Sequence, residues 1–180
     1  MRKSYTMKIA LCGITAALCI TLLMMGFLFP FATYACPAAA AMLLMPVAYE
    51  YRQKTAFTLY VAVSFLGLML VPEQELILMF IFVFGLYTVL KFSVDRIKNK
   101  FIRLAVKFIY INTALFVTYG LLLFIFPVAI LVNEFSGYGI GFIALLMAMF
   151  NLTFFLYDKA AEKLLIIYVY RMRPKLFRKR

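Results

Sequence analysis

The sequence predicts an all-α membrane protein, a six-helix transmembrane bundle with its N- and C-termini on the cytoplasmic side. Three observations predict it. Six apolar runs fill most of the chain, proline or glycine punctuates the first, third and fifth gaps between them, and every basic residue falls at alternate ends of the runs. A span needs about 20 apolar residues at ~1.5 Å rise each to cross ~30 Å of hydrocarbon. In 180 residues, 67% hydrophobic and 14% charged with mean hydropathy +1.00, six such spans leave no room for a separate soluble domain. The chain reads as one membrane domain, 1–180, with a basic cytoplasmic tail from about residue 171.

The basic residues set the orientation. Arg2, Lys3 and Lys8 precede the first run, and Arg52 and Lys54 occupy the second gap. Lys91, Arg96, Lys98, Lys100, Arg103 and Lys107 surround the fourth gap, and the other eight, Lys159 to Arg180, gather at the C-terminal end. Gaps one, three and five carry three charges, Glu73, Glu75 and Glu134, all acidic. Short loops rich in Lys and Arg stay in the cytoplasm, which assigns a multi-pass protein of the plasma membrane. The net charge of +12 and pI of 9.8 fall in the range of nucleic-acid binders. Here the charges flank apolar runs, where anionic headgroups account for them. Membrane lipid is therefore the partner they predict, and nucleic acid is not.

Each span follows from its composition. The first covers residues 7–29, too long and apolar for a cleaved signal, and stops at Pro30. The second, 37–49, opens on Pro37, which suits a first helical turn, and should kink at Pro46. The third, 55–71, is closed by Pro72. The fourth, 75–94, starts with acids where the helix macrodipole favours them. The fifth, 108–132, should bend at Pro127. The sixth follows the glycine-rich stretch 136–139 and continues to about residue 170, some 50 Å of helix. It should leave the bilayer or turn along the interface near Asp158 and Lys159.

Composition also narrows the chemistry. There is no histidine, which removes the commonest general base and metal ligand, and no tryptophan. No metal site, cofactor or catalytic constellation is predicted, and the chain does not read as an enzyme. Cys12 and Cys19 lie about 10 Å apart along one helix, beyond disulfide reach. Asp158 and Glu162, beside Lys159 and Lys163, read as a solvated charged turn.

Polar groups within spans need partners in hydrocarbon. Asn112, Thr113 and Asn151 are expected in interhelical hydrogen bonds, Lys91 snorkelling or paired with Asp95, and Asp158 against the basic cluster of the fourth gap. Small residues allow helices to approach: Gly13, Ala17 and Thr21 in span one, and Gly141, Ala144 and Ala148 in span six. On the outer side, Thr33, Tyr34, Glu73, Glu75, Asn133, Glu134 and Tyr138 are candidates for a ligand mouth that favours neutral or cationic solutes.

The span number, the small size, the inward termini and the first-span pattern Lys8–Gly13–Ala17 resemble the substrate-specific (S) components of energy-coupling factor vitamin transporters. In that family, small residues four apart on the first helix contact the transmembrane coupling (T) subunit. Carried over, Gly13 and Ala17 would be that contact, although the usual pattern has alanine where this chain has Gly13. The resemblance implies a subunit without ATPase activity that holds a small vitamin-like solute in its outer half and works with a T subunit and two ATPase subunits. Phe84, Gly85, Tyr87, Lys91, Asn112, Tyr157 and Asp158 also look like a pattern in small membrane proteins of Gram-positive bacteria. The alternative is a membrane scaffold without a ligand pocket, similar in size and span number to the rod-shape morphogenesis protein MreD.

Overall fold

The computed structural model describes residues 2–29, 32–125 and 140–176, and among them every regular element is helical. Helix α1 spans Arg2–Leu28, α2 Ala35–Met42, α3 Leu44–Leu70, α4 Gln74–Val94, α5 Lys100–Ile125 and α6 Ile140–Ile167. A π-helical turn, Tyr168–Met172, joins α6 to the short α7, Arg173–Leu176. Within α4 the stretch Met79–Gly85 is also π-helical. Among the described residues, four stretches are long and apolar enough to cross a membrane: Thr6–Leu28, Leu44–Leu70, Gln74–Val94 and Lys100–Phe124. Large apolar side chains face outward, Phe116 at 80% and Phe124 at 92% exposure, as suits a lipid-facing surface.

Side-chain contacts fix the direction of each segment. The Cys19 thiol donates to the Ala40 carbonyl at 3.2 Å and Gly26 lies against Cys36, so α1 and α2 are antiparallel. Helix α3 is broken at Tyr51 and Arg52, whose dihedrals are not helical. Beyond the break, Gln53 donates to the Val89 carbonyl, Tyr60 to the Ile81 carbonyl, and Gly67 meets Ile77. Residues 53–70 therefore run antiparallel to α4. Helix α5 reverses again, placing Lys107 at Asp95, Tyr110 at Phe82 and Tyr119 at Glu75. Helix α6 returns from Asn151 beside Asn112 to Asp158 beside Lys107.

Local chemistry explains most boundaries. Pro37 falls in the first turn of α2, where its missing N–H costs nothing. The expected kink at Pro46 lies earlier: α2 ends at Met42 and α3 restarts at Leu44, which places Pro46 in a first turn too. Val71, before Pro72, is extended at φ −89° and ψ 118°, as a residue preceding proline should be. Helix α5 begins eight residues before position 108, because Asn99 caps it: its side-chain oxygen accepts from the Phe101 N–H at 3.1 Å. Helix α6 does not turn at Asp158 but stays α-helical to Ile167. Pro30 and Pro127 lie outside the described residues.

Aromatic rings fill the space between α4, α5 and α6. Tyr87 packs on Phe154 with ring centroids 4.6 Å apart, Phe84 on Tyr157 at 4.9 Å and Tyr87 on Tyr110 at 5.5 Å. Phe80, Phe84, Tyr87 and Phe154 are almost fully buried. The first two pairs meet edge to face, a geometry that adds about 0.5–1.5 kcal/mol per pair beyond burial. The π-helical stretch belongs to the same block, and neighbouring helices cap its carbonyls. Tyr60 donates to Ile81 at 2.9 Å, and Tyr110 donates to Phe82 at 2.6 Å.

Candidate functional site

The structure offers candidate functional residues at three places. At the end of the bundle where α4 finishes and α5 begins, five charged side chains close into a knot. Lys91 of α4 binds Oδ1 of Asp158 in α6, and Lys107 of α5 binds Oδ2 of the same carboxylate at 2.6 Å. Asp95 bridges both lysines from the other side, at 3.4 Å to Lys91 and 3.1 Å to Lys107. Glu162 adds a further contact to Lys91 at 3.2 Å, and the Tyr87 hydroxyl donates to Asp158 at 2.5 Å. Lys91, Lys107 and Asp158 are all buried. Lys91 thus keeps its expected partner Asp95 but does not snorkel. Asp158 lies against the basic cluster of the fourth gap, as the sequence suggests, but not in a solvated turn: it is buried because two ammonium groups on other helices neutralise it. Glu162 remains half exposed.

The knot is charge-matched around Asp158, with the surplus negative charge on the exposed side at Glu162. Buried ions persist only where partners and hydrogen bonds offset their desolvation, and this arrangement meets that condition. Chemically it ties three helices together. Lys107 belongs to the basic cluster of the fourth gap that Asp158 is expected to meet, although a span starting at 108 leaves it outside the helix. The signal for its place in the helix was present, since Lys107, Ile111, Ala114, Thr118 and Leu122 recur at helical spacing and are all buried.

At the opposite end, the Tyr34 hydroxyl donates to Oε1 of Glu75 at 2.9 Å and Tyr119 donates to the same oxygen at 3.3 Å. Phe150 sets its ring edge against Tyr34, centroids 5.8 Å apart. Of the seven mouth candidates, Tyr34 and Glu75 meet directly, Glu73 is close enough to Glu75 to feel its charge, and Thr33 is buried beside Tyr34. Asn133, Glu134 and Tyr138 lie outside the described residues. Burial, reinforced by the Glu75 carboxylate, holds the Glu73 carboxyl above its ordinary pKa. Burial likewise raises the Tyr34 phenol, with Glu75 and Glu73 acting in the same direction. Tyr119 carried no sequence signal of its role.

The third place is the outer face of α1. Gly13, Ala17 and Thr21 are exposed along one row, and a Cβ built on Gly13 would meet nothing within 4 Å. A groove of about 350 Å³ opens beside them, lined by Lys8, Ile9, Cys12, Gly13, Ala16 and Leu59. The small residues of α6 behave differently from expectation: Ala148 is exposed rather than packed on a helix, because α6 turns Phe154, Tyr157 and Ala161 inward instead. The side chains at positions 141 and 144 lie outside the described residues. Asn112 and Asn151 form a reciprocal amide pair between α5 and α6 at 3.3 and 3.4 Å, as expected of polar groups within spans. Among the described residues no group of histidine, cysteine or carboxylate side chains could hold a metal ion. Compared with protein-family models, curated proteins and solved structures, the chain matches none.

Proposed function

We propose that the chain crosses the plasma membrane six times with both termini in the cytoplasm, and that it is a non-enzymatic S-type subunit of an energy-coupling factor transporter. The observation that carries this reading is the exposed Gly13–Ala17 row on α1, open in front of Gly13. A helix surface without bulk lets another backbone approach closely, and in lipid such approach is a main source of helix affinity. A T subunit with two ATPase subunits would dock there. The Tyr34–Glu75–Tyr119 cluster at the other end supports a mouth for a small neutral or cationic solute.

The test is co-purification of the tagged chain with a co-expressed T subunit and ATPases. Wild type should hold the complex, and Gly13→Leu and Ala17→Leu should release it while remaining folded. Failure of the wild type to co-purify would reject the transport reading. A second reading, a membrane scaffold, is favoured by one observation: aromatic rings fill the interior between α4, α5 and α6. It predicts that no solute raises the thermal midpoint of the purified chain.

A further inference from the structure

We infer that the groove beside α1 is a binding site for one anionic phospholipid of the inner leaflet, its phosphate on Lys8 and one acyl chain lying along the groove. The walls are Ile9, Cys12, Gly13, Ala16 and Leu59, and Lys8 is the one charged group lining it. Lys8 and Cys12, one helical turn apart, lie on the same face of α1, which places the ammonium at the mouth of the apolar channel. The contrast with Lys91 and Lys107 is informative. Those two lysines are saturated by carboxylates, whereas Lys8 has no acidic partner among the described residues. An apolar channel ending in an unneutralised cation complements a phosphodiester attached to a hydrocarbon tail.

Length selects this occupant over a transmembrane helix. From Lys8 to Ala16 the groove covers roughly 12 Å of helix rise, against about 15 Å for one leaflet's half of the hydrocarbon. Farther along α1 it is closed: Cys19 is tied to the Ala40 carbonyl, and Leu23 is buried and packs near Gly67. A spanning helix seated in this channel, rather than laid across the exposed Gly13–Ala17–Thr21 row, would need one twice as long. Arg52 and Lys54, exposed at the start of the ascending part of α3, add positive charge at the same end as Lys8. Each such residue draws anionic headgroups to the surface. Gly13 lines the channel and leaves it open, since a Cβ there would meet nothing within 4 Å and a larger side chain would take up that space. The inference does not rest on the transport reading; a docking T subunit would displace the lipid from this face.

The full chain, delipidated in detergent, is titrated with phosphatidylglycerol or phosphatidylcholine and followed by native mass spectrometry. Wild type should retain one phosphatidylglycerol in preference to phosphatidylcholine. Lys8→Gln should lower that preference about 5-fold, the effect of one basic residue at an anionic surface. Gly13→Leu should lose the retained lipid of either kind. Gly120→Leu is the matched control, because Gly120 on α5 is equally exposed with nothing within 4 Å of its Cβ, and it should behave as wild type. Retention of lipid by Gly13→Leu at the wild-type level would overturn the proposal, as would equal retention of both lipids by the wild type. A dimer mass without lipid would assign the groove to a second copy and overturn it as well. Should Gly13→Leu not fold, Lys8→Gln, at the rim of the groove, decides alone.

Discussion

At Arg52 the backbone sits at φ 71° and ψ 158°, a region that side chains other than glycine adopt only at a cost of about 1–3 kcal/mol. The tight reversal between the two arms of α3 imposes that conformation. Replacing Arg52 with glycine should therefore raise the thermal midpoint in detergent, by a stabilisation of about 1 kcal/mol after glycine's entropic cost. Gly85 gives the opposite case: a Cβ there would stand 2.7 Å from the Phe80 carbonyl oxygen and 2.9 Å from the Tyr60 ring. Gly85→Ala should destabilise by roughly 1–3 kcal/mol, because the clash is with backbone. Glu73 supplies a pH test. Its folded-state pKa is raised, so the folded form holds the proton more tightly than the unfolded one. Its contribution to stability is present at acid pH and is lost as pH rises through that raised pKa. The thermal midpoint of wild type relative to Glu73→Gln should consequently fall as pH rises from 4 towards 7. An unchanged difference would show that Glu73 is as solvated as in the unfolded chain. Single residues like these were the least legible in the sequence, since an ε-region arginine and a crowded glycine arise only when other elements press on them.

Elements were more legible, and the reasons are local. Pro37, Pro72 and the acids at the start of α4 act through backbone rules that hold wherever the chain sits, and each stands where the sequence placed it. The start of α5 was misread because hydropathy falls off at Lys107 although helical periodicity does not, and the π-helical stretch Met79–Gly85 had no signature beyond a phenylalanine-rich run. The ionic knot is a matter of three helices meeting, which spacing within one helix cannot reveal. Asp158→Asn should leave two buried lysines short of their shared counter-charge and cost about 3–5 kcal/mol. The comparison Ala148→Leu should cost nothing measurable, since that face of α6 is exposed. A midpoint lowered equally by both would mean that α6 is held by its small residues rather than by its charge.

At the scale of the whole molecule, alternation of direction from α1 to α6 agrees with the segregation of Lys and Arg along the chain. The proposed topology is checked by single cysteines at Gln74 and Asn99, in a background where Cys12, Cys19 and Cys36 are replaced. An impermeant reagent added from outside should label position 74 and miss position 99, and the reverse pattern would invert the orientation of every span. The all-helical architecture was legible because long apolar runs leave the backbone no other regular form, while the mouth and the α1 groove depend on which faces remain uncovered after packing. The knot also imposes an order on biosynthesis. Lys107 must await Asp158, an acid encoded 51 residues later, and until α6 is made the two lysines share Asp95 alone. A nascent chain halted after α5 thus carries an uncompensated cation on a helix apolar enough to cross a membrane, a mark by which a protease could tell an unfinished molecule from a finished one.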